Sequence, residues 1–440
     1  MTAQLAAVPE RRGICPGVST PLPTGDGLLV RLIPIGTVSL GAFGALAVAA
    51  LRHGNGIVEL TARGSIQVRG LTEESAILFA RDVSTIGIAA EDGVPILCNP
   101  LAGLQSEEIL DAPALAAALR RTLAGSSLTE RLAPKCSVVI DSGGSPDLAR
   151  IPADLRLRAQ LVNDEPALCI AAGGNEADAI DLGSIAPERA IECVLRLLAV
   201  LAQRGRGVRA RDLIAAGGAS VLRDALASAH DGPMAQSRRV AAKTFDPDAA
   251  RSQKRSAIGL HRLRDGLLAC GIGLAFGHAD GTALEKLADA AAMSGACGLR
   301  IAPDRALLAI GLSAQGAAAL IAAAEQLGFV TKASDPRGFV LACAGAPFCA
   351  SGHIAARAMA PHIAATAAPY LREGLIVHIS GCAKGCAHPA AASLTVVGTA
   401  GDCMLVENGS ARDTPFAAAC VHDLPAAIAR HLRKQGAGHV

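Results

Sequence analysis

From Gly27 to Leu71 the chain alternates between apolar and polar positions in an ordered way. GLLVRL reads as a short strand, the Gly-containing stretch after it as a turn, and LGAFGALAVAALRH as an Ala/Leu helix. VELTARGSIQVRGL then reads as two strands around a tight polar turn. The same order of elements returns from Gly266, in GLLACGIGLAFGHADGTALEKLADAAAMSGACGLRIAPDRALLAIGL. The spacing of roughly 240 residues is too long for a solenoid and fits a duplicated domain folded around a pseudo-two-fold axis. The competing reading is that two Ala-rich segments look alike by composition alone.

Each repeat is followed by a longer α/β segment. After the first come a helix near Ala112 to Leu123, the strand SVVIDSGG ending in a Gly turn, and a helix from Pro187 to Gln203 with Pro and Glu in its first turn. After the second come strand FVLACAG, a helix from Gly352 to Ala368, and strands LIVHISG and SLTVVG. The polar stretch from about Gly232 to Ser256 has no clear period and reads as a linker.

Composition narrows the classes. A length of 440 residues implies several domains, and 51% hydrophobic residues can bury a large core. With 2% aromatics and no Trp, that core packs through Ala, Gly, Leu and Val by close backbone approach. The formal net charge of +2, without a basic run, does not suggest nucleic acid as a partner. Mean hydropathy is +0.38, yet the apolar runs are short. Gly41 to Leu51 stops at Arg52, and Ile191 to Ala202 contains Glu192 and Arg196. No membrane span is expected, because one needs about 20 apolar residues. The N-terminal segment does not read as a secretory signal. Thirteen cysteines, an odd count without an export signal, fit free thiols in a reducing cytoplasm.

The cysteines carry the chemistry. Cys343 and Cys349 form C-AGAPF-C, and Cys382 and Cys386 form C-AKG-C. Both pairs stand where a strand runs into a loop holding Gly or Pro. Such loops let backbone approach a bulky inorganic group. Two pairs on adjacent strand ends supply the four thiolates that a [4Fe–4S] cube needs. Zinc also takes four cysteines, although the gap of five in the first pair is less usual for it. Ordinary buried thiols are the third reading. Cys98, Cys169, Cys193 and Cys297 lie in apolar runs and read as inert core.

At these motifs the chain resembles the sulfite and nitrite reductase superfamily, across nearly its whole length. Within it the chain is most similar to the precorrin-3B synthases, through RRGICPGVSTPLPTGDGLLVRL, VELTARGSIQVRGL and HISGCAKGCAHPA. The resemblance implies an α+β fold of duplicated sulfite/nitrite reductase-like architecture, with these bounds: a ferredoxin-like half-domain over 1–75, an α/β domain over 76–235, a linker over 236–256, a second half-domain over 257–334, and a second α/β domain with the cluster over 335–440. By position Cys386 is the cysteine that bridges the cluster to sirohaem iron in the reductases. Arg31, Arg63 and Lys135 match positions that hold sirohaem carboxylates. The chain departs from the reductases at Gly64 (their Gln), Ser137 (their second Lys) and Lys384 (their Asn). These departures suit a tetrapyrrole that enters as substrate and leaves. A precorrin carries about eight carboxylates, ionised at neutral pH. Arg31, Arg63, Arg69, Lys135 and Lys384 are the candidate cations for them.

The implied reaction hydroxylates precorrin-3A at the C20 meso carbon with dioxygen and two electrons, and a ring A acetate then closes a γ-lactone. The resemblance further implies a non-haem iron, for which His278-Ala279-Asp280 and His388 are the candidate ligands, while His353 reads as structural. GIGLAFG has the wrong spacing for a dinucleotide fingerprint. Electrons are therefore expected from a separate ferredoxin or NADH-dependent reductase. The alternative reading is a sirohaem-dependent sulfite or nitrite reductase.

Overall fold

The computed structural model describes residues 16–227 and 256–437. The expected linker, apart from Ser256, and the RRGIC segment with Cys15 lie outside the described residues. Two hairpin–helix–hairpin–helix modules form the repeats. In the first, strands β1 (Leu22–Thr24), β2 (Gly27–Leu32), β3 (Ile57–Leu60) and β4 (Ile66–Leu71) pair in the order β1-β2-β4-β3, with helices Leu40–His53 and Glu73–Ile86. The α/β segment that follows holds β5 (Ile96–Cys98), β6 (Val138–Asp141), β7 (Ala153–Val162), β8 (Glu165–Gly174) and β9 (Ile180–Ile185) in sequential order. The second module repeats the first with β10 (Gly259–Arg262), β11 (Leu268–Gly273), β12 (His278–Asp280), β13 (Gly298–Ala302) and β14 (Ala306–Leu312), in the order β10-β11-β14-β13. Strand β12 leaves this sheet and joins β3 of the first one. The second α/β segment holds β15 (Val340–Ala342), β16 (Val377–Ser380), β17 (Ala392–Gly398), β18 (Asp402–Gly409) and β19 (Ala417–Cys420), again in sequential order. In both α/β sheets the first two pairings are parallel and the last two antiparallel.

Small details confirm the duplication. Gly70 and Gly311 both have positive φ, 73° and 82°. Each sits in a β-bulge, where the pairing slips between Leu28 and Val30 and between Leu268 and Cys270. Each is followed by Leu and then by a hydroxyl N-cap, Thr72 or Ser313. A bulge bends the strand and re-aims its side chains, and the cap satisfies an orphan N–H of the next helix. Only a shared ancestry or a shared packing need would place the same three devices in one order twice.

The chain divides into two compact units. Residues 91–227 belong to one, and residues 17–90 with 256–437 to the other. In the larger unit, Val30, Leu32, Val58, Ile66 and Val68 point to one face of the first sheet and pack with Phe43, Leu46 and Phe79 of the helices. Phe79 and Val83 lie on helix Glu73–Ile86, so that helix is part of the first half-domain core. The expected boundary at residue 75 cuts this helix, and the first half-domain runs on to about Ala90. Two other expectations need adjustment. The helix read from Gly352 starts at Ala356, because Gly352 and His353 hold a loop, and Pro187–Arg189 is a 3₁₀ turn before helix Ala190–Gln203. No described helix is long and apolar enough to cross a membrane.

Candidate functional site

Strands β15 and β16 run parallel, so their C-terminal ends lie side by side. The first leads into Cys343 and the second into Gly381-Cys382. The first loop is closed on itself by Ala346 N–H donating to Ile354 O at 2.8 Å and Cys349 N–H to Gly345 O at 2.8 Å, and it is tied to the second by His353 N–H donating to Gly381 O at 2.8 Å. Three glycines make this approach possible. A Cβ on Gly381 would lie 3.0 Å from Gly345 Cα and 3.3 Å from Gly352 Cα, and one on Gly352 would lie 2.6 Å from Ala346 N. With the loops so held, Cys343, Cys349, Cys382 and Cys386 line one cavity, together with Thr24, Gly25, Asp26, Arg69 and Lys384. Gly381 N–H donates to Cys343 Sγ at 3.0 Å.

The wall opposite the loops is the tip of the β1–β2 hairpin. Ala350 N–H donates to Gly25 O at 2.8 Å, and a Cβ on Gly25 would overlap Cys349 Sγ. This hairpin, more than 300 residues away in sequence, is a part of the site that the cysteine spacing does not reveal.

The chemistry of the donor set fits a polynuclear centre. Burial pushes the Cys343 and Cys386 thiols up, and each is raised further by its neighbouring thiols, while Arg69 lowers Cys386. Four thiolates cannot crowd one cavity without a cation to neutralise them. Yet among the described residues no three His, Cys, Asp or Glu side chains converge as a single ion requires. Four cysteines lining one cavity are the donor set that a [4Fe–4S] cube takes. The twelve described cysteines form no disulfide. Cys297 corrects an expectation: it is exposed, on the turn before β13, and not core. Cys98 and Cys169 are only half-buried, and Cys193 is buried as expected.

The polar face of the first sheet carries a row of charges. Register sets His278 opposite Glu59, Glu59 opposite Gln67, and Gln67 opposite Arg31. With its amide oxygen toward Arg31, Gln67 accepts from Nη2 at 2.6 Å and Nε at 3.1 Å, and its nitrogen donates to Glu59 Oε2 at 3.2 Å. Arg69, on the same face, donates to Glu59 at 2.8 Å and to Asp26 at 3.1 Å, and Arg357 reaches Glu59 at 3.4 Å. Arg63 sits in the half-buried turn between β3 and β4. Lys384 is exposed and donates to Ser351 Oγ at 2.9 Å. Lys135 belongs to the other unit, exposed in the turn before β6. In that unit the strand ends equivalent to the cysteine loops carry a closed polar network instead: Asn99 Nδ2 donates to Asp141 at 3.1 Å, and Ser142 N–H donates to Asn99 Oδ1 at 2.7 Å.

The candidate iron ligands fare differently. His278-Ala279-Asp280 is strand β12, and Asp280 caps helix Gly281–Met293 by accepting from Thr282 N–H at 2.8 Å. His388 bonds to Ala391 O at 3.2 Å, and His353 is exposed. The residues present do not form a mononuclear iron site among the described residues.

Behind the C-AKG-C loop, His378 is fully buried and neither ring nitrogen has a partner. Burial, then His388 and Arg305, push its pKa down to about 3, and burial with Arg357 pushes His278 down to about 4. Both values lie below the unfolded value, so the unfolded chain takes up these protons first. The resulting stability is full above about pH 6.5 and is lost as pH falls toward 4 and then 3. Each group contributes roughly 1.4 kcal/mol per pH unit in that window. We expect the urea midpoint to fall less between pH 7 and pH 5 in His378→Leu than in the wild type. Equal falls would mean that His378 is not held neutral.

Over 92% of its length the fold matches the NirA protein of Mycobacterium tuberculosis, covering 80% of that chain with a TM-score of 0.72 at 21% identity. The class is therefore that of the sulfite/nitrite reductase fold, α+β and duplicated. The sequence narrows it further: the chain is 37% identical over 421 residues to a precorrin-3B synthase of a Sinorhizobium species, spanning 96% of this chain and 88% of the relative. The chain belongs to the precorrin-3B synthase family. Its likeness to the sulfite reductase (ferredoxin) of Mycobacterium tuberculosis is more distant, 29% over 137 residues, covering 30% of this chain and 25% of that one. No family model matches the chain.

Proposed function

We propose that this chain holds one [4Fe–4S] cluster on Cys343, Cys349, Cys382 and Cys386 and converts precorrin-3A into precorrin-3B with dioxygen. The observation that carries the reading is the convergence of four thiols on one cavity in a chain matched along 96% of its length by a precorrin-3B synthase. When bound, the cluster supplies electrons one at a time. One oxygen atom enters the macrocycle, and the other leaves as water with two electrons and two protons. The electrons come from a separate ferredoxin or NADH-dependent reductase.

The chain's own residues bind and orient. Arg31, Arg63 and Lys384 meet the substrate carboxylates, the guanidiniums in a two-point fashion and the lysine as an adaptable point charge. Gln67 fixes the Arg31 guanidinium in place, which lowers the entropy lost when a carboxylate docks. Cys386 is the most exposed residue of the four although its sulfur is largely covered, and with the exposed Lys384 it marks the edge of the cavity. The test is turnover of precorrin-3A under ¹⁸O₂ with a reductant. The reading expects a product with one labelled oxygen. A purified protein with the red absorption bands of sirohaem, and with sulfite or nitrite turnover instead, would overturn it.

A further inference from the structure

We propose that Arg69 is the fixed counter-charge of the cluster, a positioning residue that sets how readily the cluster accepts an electron. The inference rests on the cluster reading above and deepens it. Arg69 is 6% exposed, yet its side chain lines the cavity of the four thiols. Its guanidinium is held from two sides, by Glu59 at 2.8 Å and by Asp26 at 3.1 Å. Asp26 lines the same cavity, accepts from Thr24 Oγ1 at 2.7 Å, and leaves Oδ2 buried without a partner.

The charges around the cavity nearly cancel. Glu59 and Asp26 stand against Arg69 and Arg357, and Lys384 lies at the exposed edge on Ser351. A cluster on four thiolates is already anionic, and each added electron deepens that charge. Reduction potential follows the local charge. Removing Arg69 would leave two buried carboxylates beside the cluster with Arg357 alone against them, and electron uptake would be penalised.

The duplication shows that the fold does not itself need a cation here. At the equivalent place in the second repeat, just before the bulge Gly311, stands Ile310, which is 4% exposed. Both bulges close equally well. The difference between Arg69 and Ile310 therefore lies in what each faces, and only Arg69 faces the thiols. The nearness also acts in the other direction, since Arg69 lowers the pKa of the Cys386 thiol.

The test compares wild type, Arg69→Met, Asp26→Asn and the double variant, each purified anaerobically. The readouts are iron and sulfide per chain, and the midpoint potential from an EPR-monitored dithionite titration. Arg69→Met should shift the reduction equilibrium at least about tenfold toward the oxidised form, about 59 mV for one electron. Asp26→Asn should shift it the other way, and the double variant should return near wild type. Potentials that do not move, or single variants that move the same way, overturn the proposal. If Arg69→Met fails to assemble a cluster, Asp26→Asn decides alone: a raised potential supports the inference and an unchanged one overturns it. A wild type without iron and sulfide would instead remove the cluster reading, and the inference with it.

Discussion

Replacing Cys382 by Ser should strip the protein of its cluster and abolish turnover. Ser offers an oxygen where the cube needs a thiolate, and Cys382 begins the loop that also carries Cys386. With one corner unheld, iron and sulfide should fall from about four each per chain to below one. Precorrin-3B formation should fall by at least roughly 100-fold, the upper end of what lost support of a metal site costs. Far-UV circular dichroism should stay close to wild type, because Cys382 is half-buried in a loop and lies outside the core clusters. A variant that kept its iron, sulfide and activity would show that Cys382 is not a ligand.

The second large effect is expected at a residue with no chemistry of its own. Gly25→Ala adds one methyl group, and that methyl would overlap Cys349 Sγ and lie 3.1 Å from Ser351 Oγ. Either Cys349 must turn away from the cavity or the hairpin tip must lift off and break the Ala350-to-Gly25 bond. Both outcomes spoil the fourth corner of the site. We expect cluster content to fall by half or more while the thermal transition moves little, since Gly25 lies at a hairpin tip outside the core. Iron and sulfide analysis against a melting curve checks this. Full cluster content in Gly25→Ala would mean that the hairpin is not a wall of the site.

These two residues mark what could and could not be read from the chain. The place of Cys382 beside the other three thiols was legible because the cysteine spacing and the strand–loop context sit within a few residues. Gly25 was not, because its importance comes from a contact with a loop distant in sequence, and a glycine in a hairpin turn looks the same whether or not a thiol lies beneath it. The duplication was legible from the order of elements, and the structure adds the shared bulge and cap at Gly70 and Gly311. The edge strand His278–Asp280 has no signature of its own in the sequence, because its pairing partner, Glu59 and its neighbours, belongs to the other repeat. Strand Ala153–Val162 does carry the alternation, with Leu155, Leu157 and Ala159 inward, but it runs among charges that also suit a loop.

Arg69 shows the same limit in electrostatics. From sequence it is one of five candidate cations for substrate carboxylates. In the fold it is buried in two ion pairs and faces the thiols, so its charge is already committed. Pairing of this kind depends on which strands are neighbours, and β3 and β4 bring Glu59 to it across a hairpin while the β1–β2 tip brings Asp26.

The whole reading stands on a sulfur-bound iron centre in the cavity between the β1–β2 hairpin and the two cysteine loops. Chemical analysis and EPR of anaerobically purified protein reduced with dithionite address it directly. We predict about four iron and four sulfide per chain and a fast-relaxing signal of one unpaired electron. Zinc in place of iron, or protein fully folded and active with neither iron nor sulfide, would contradict it.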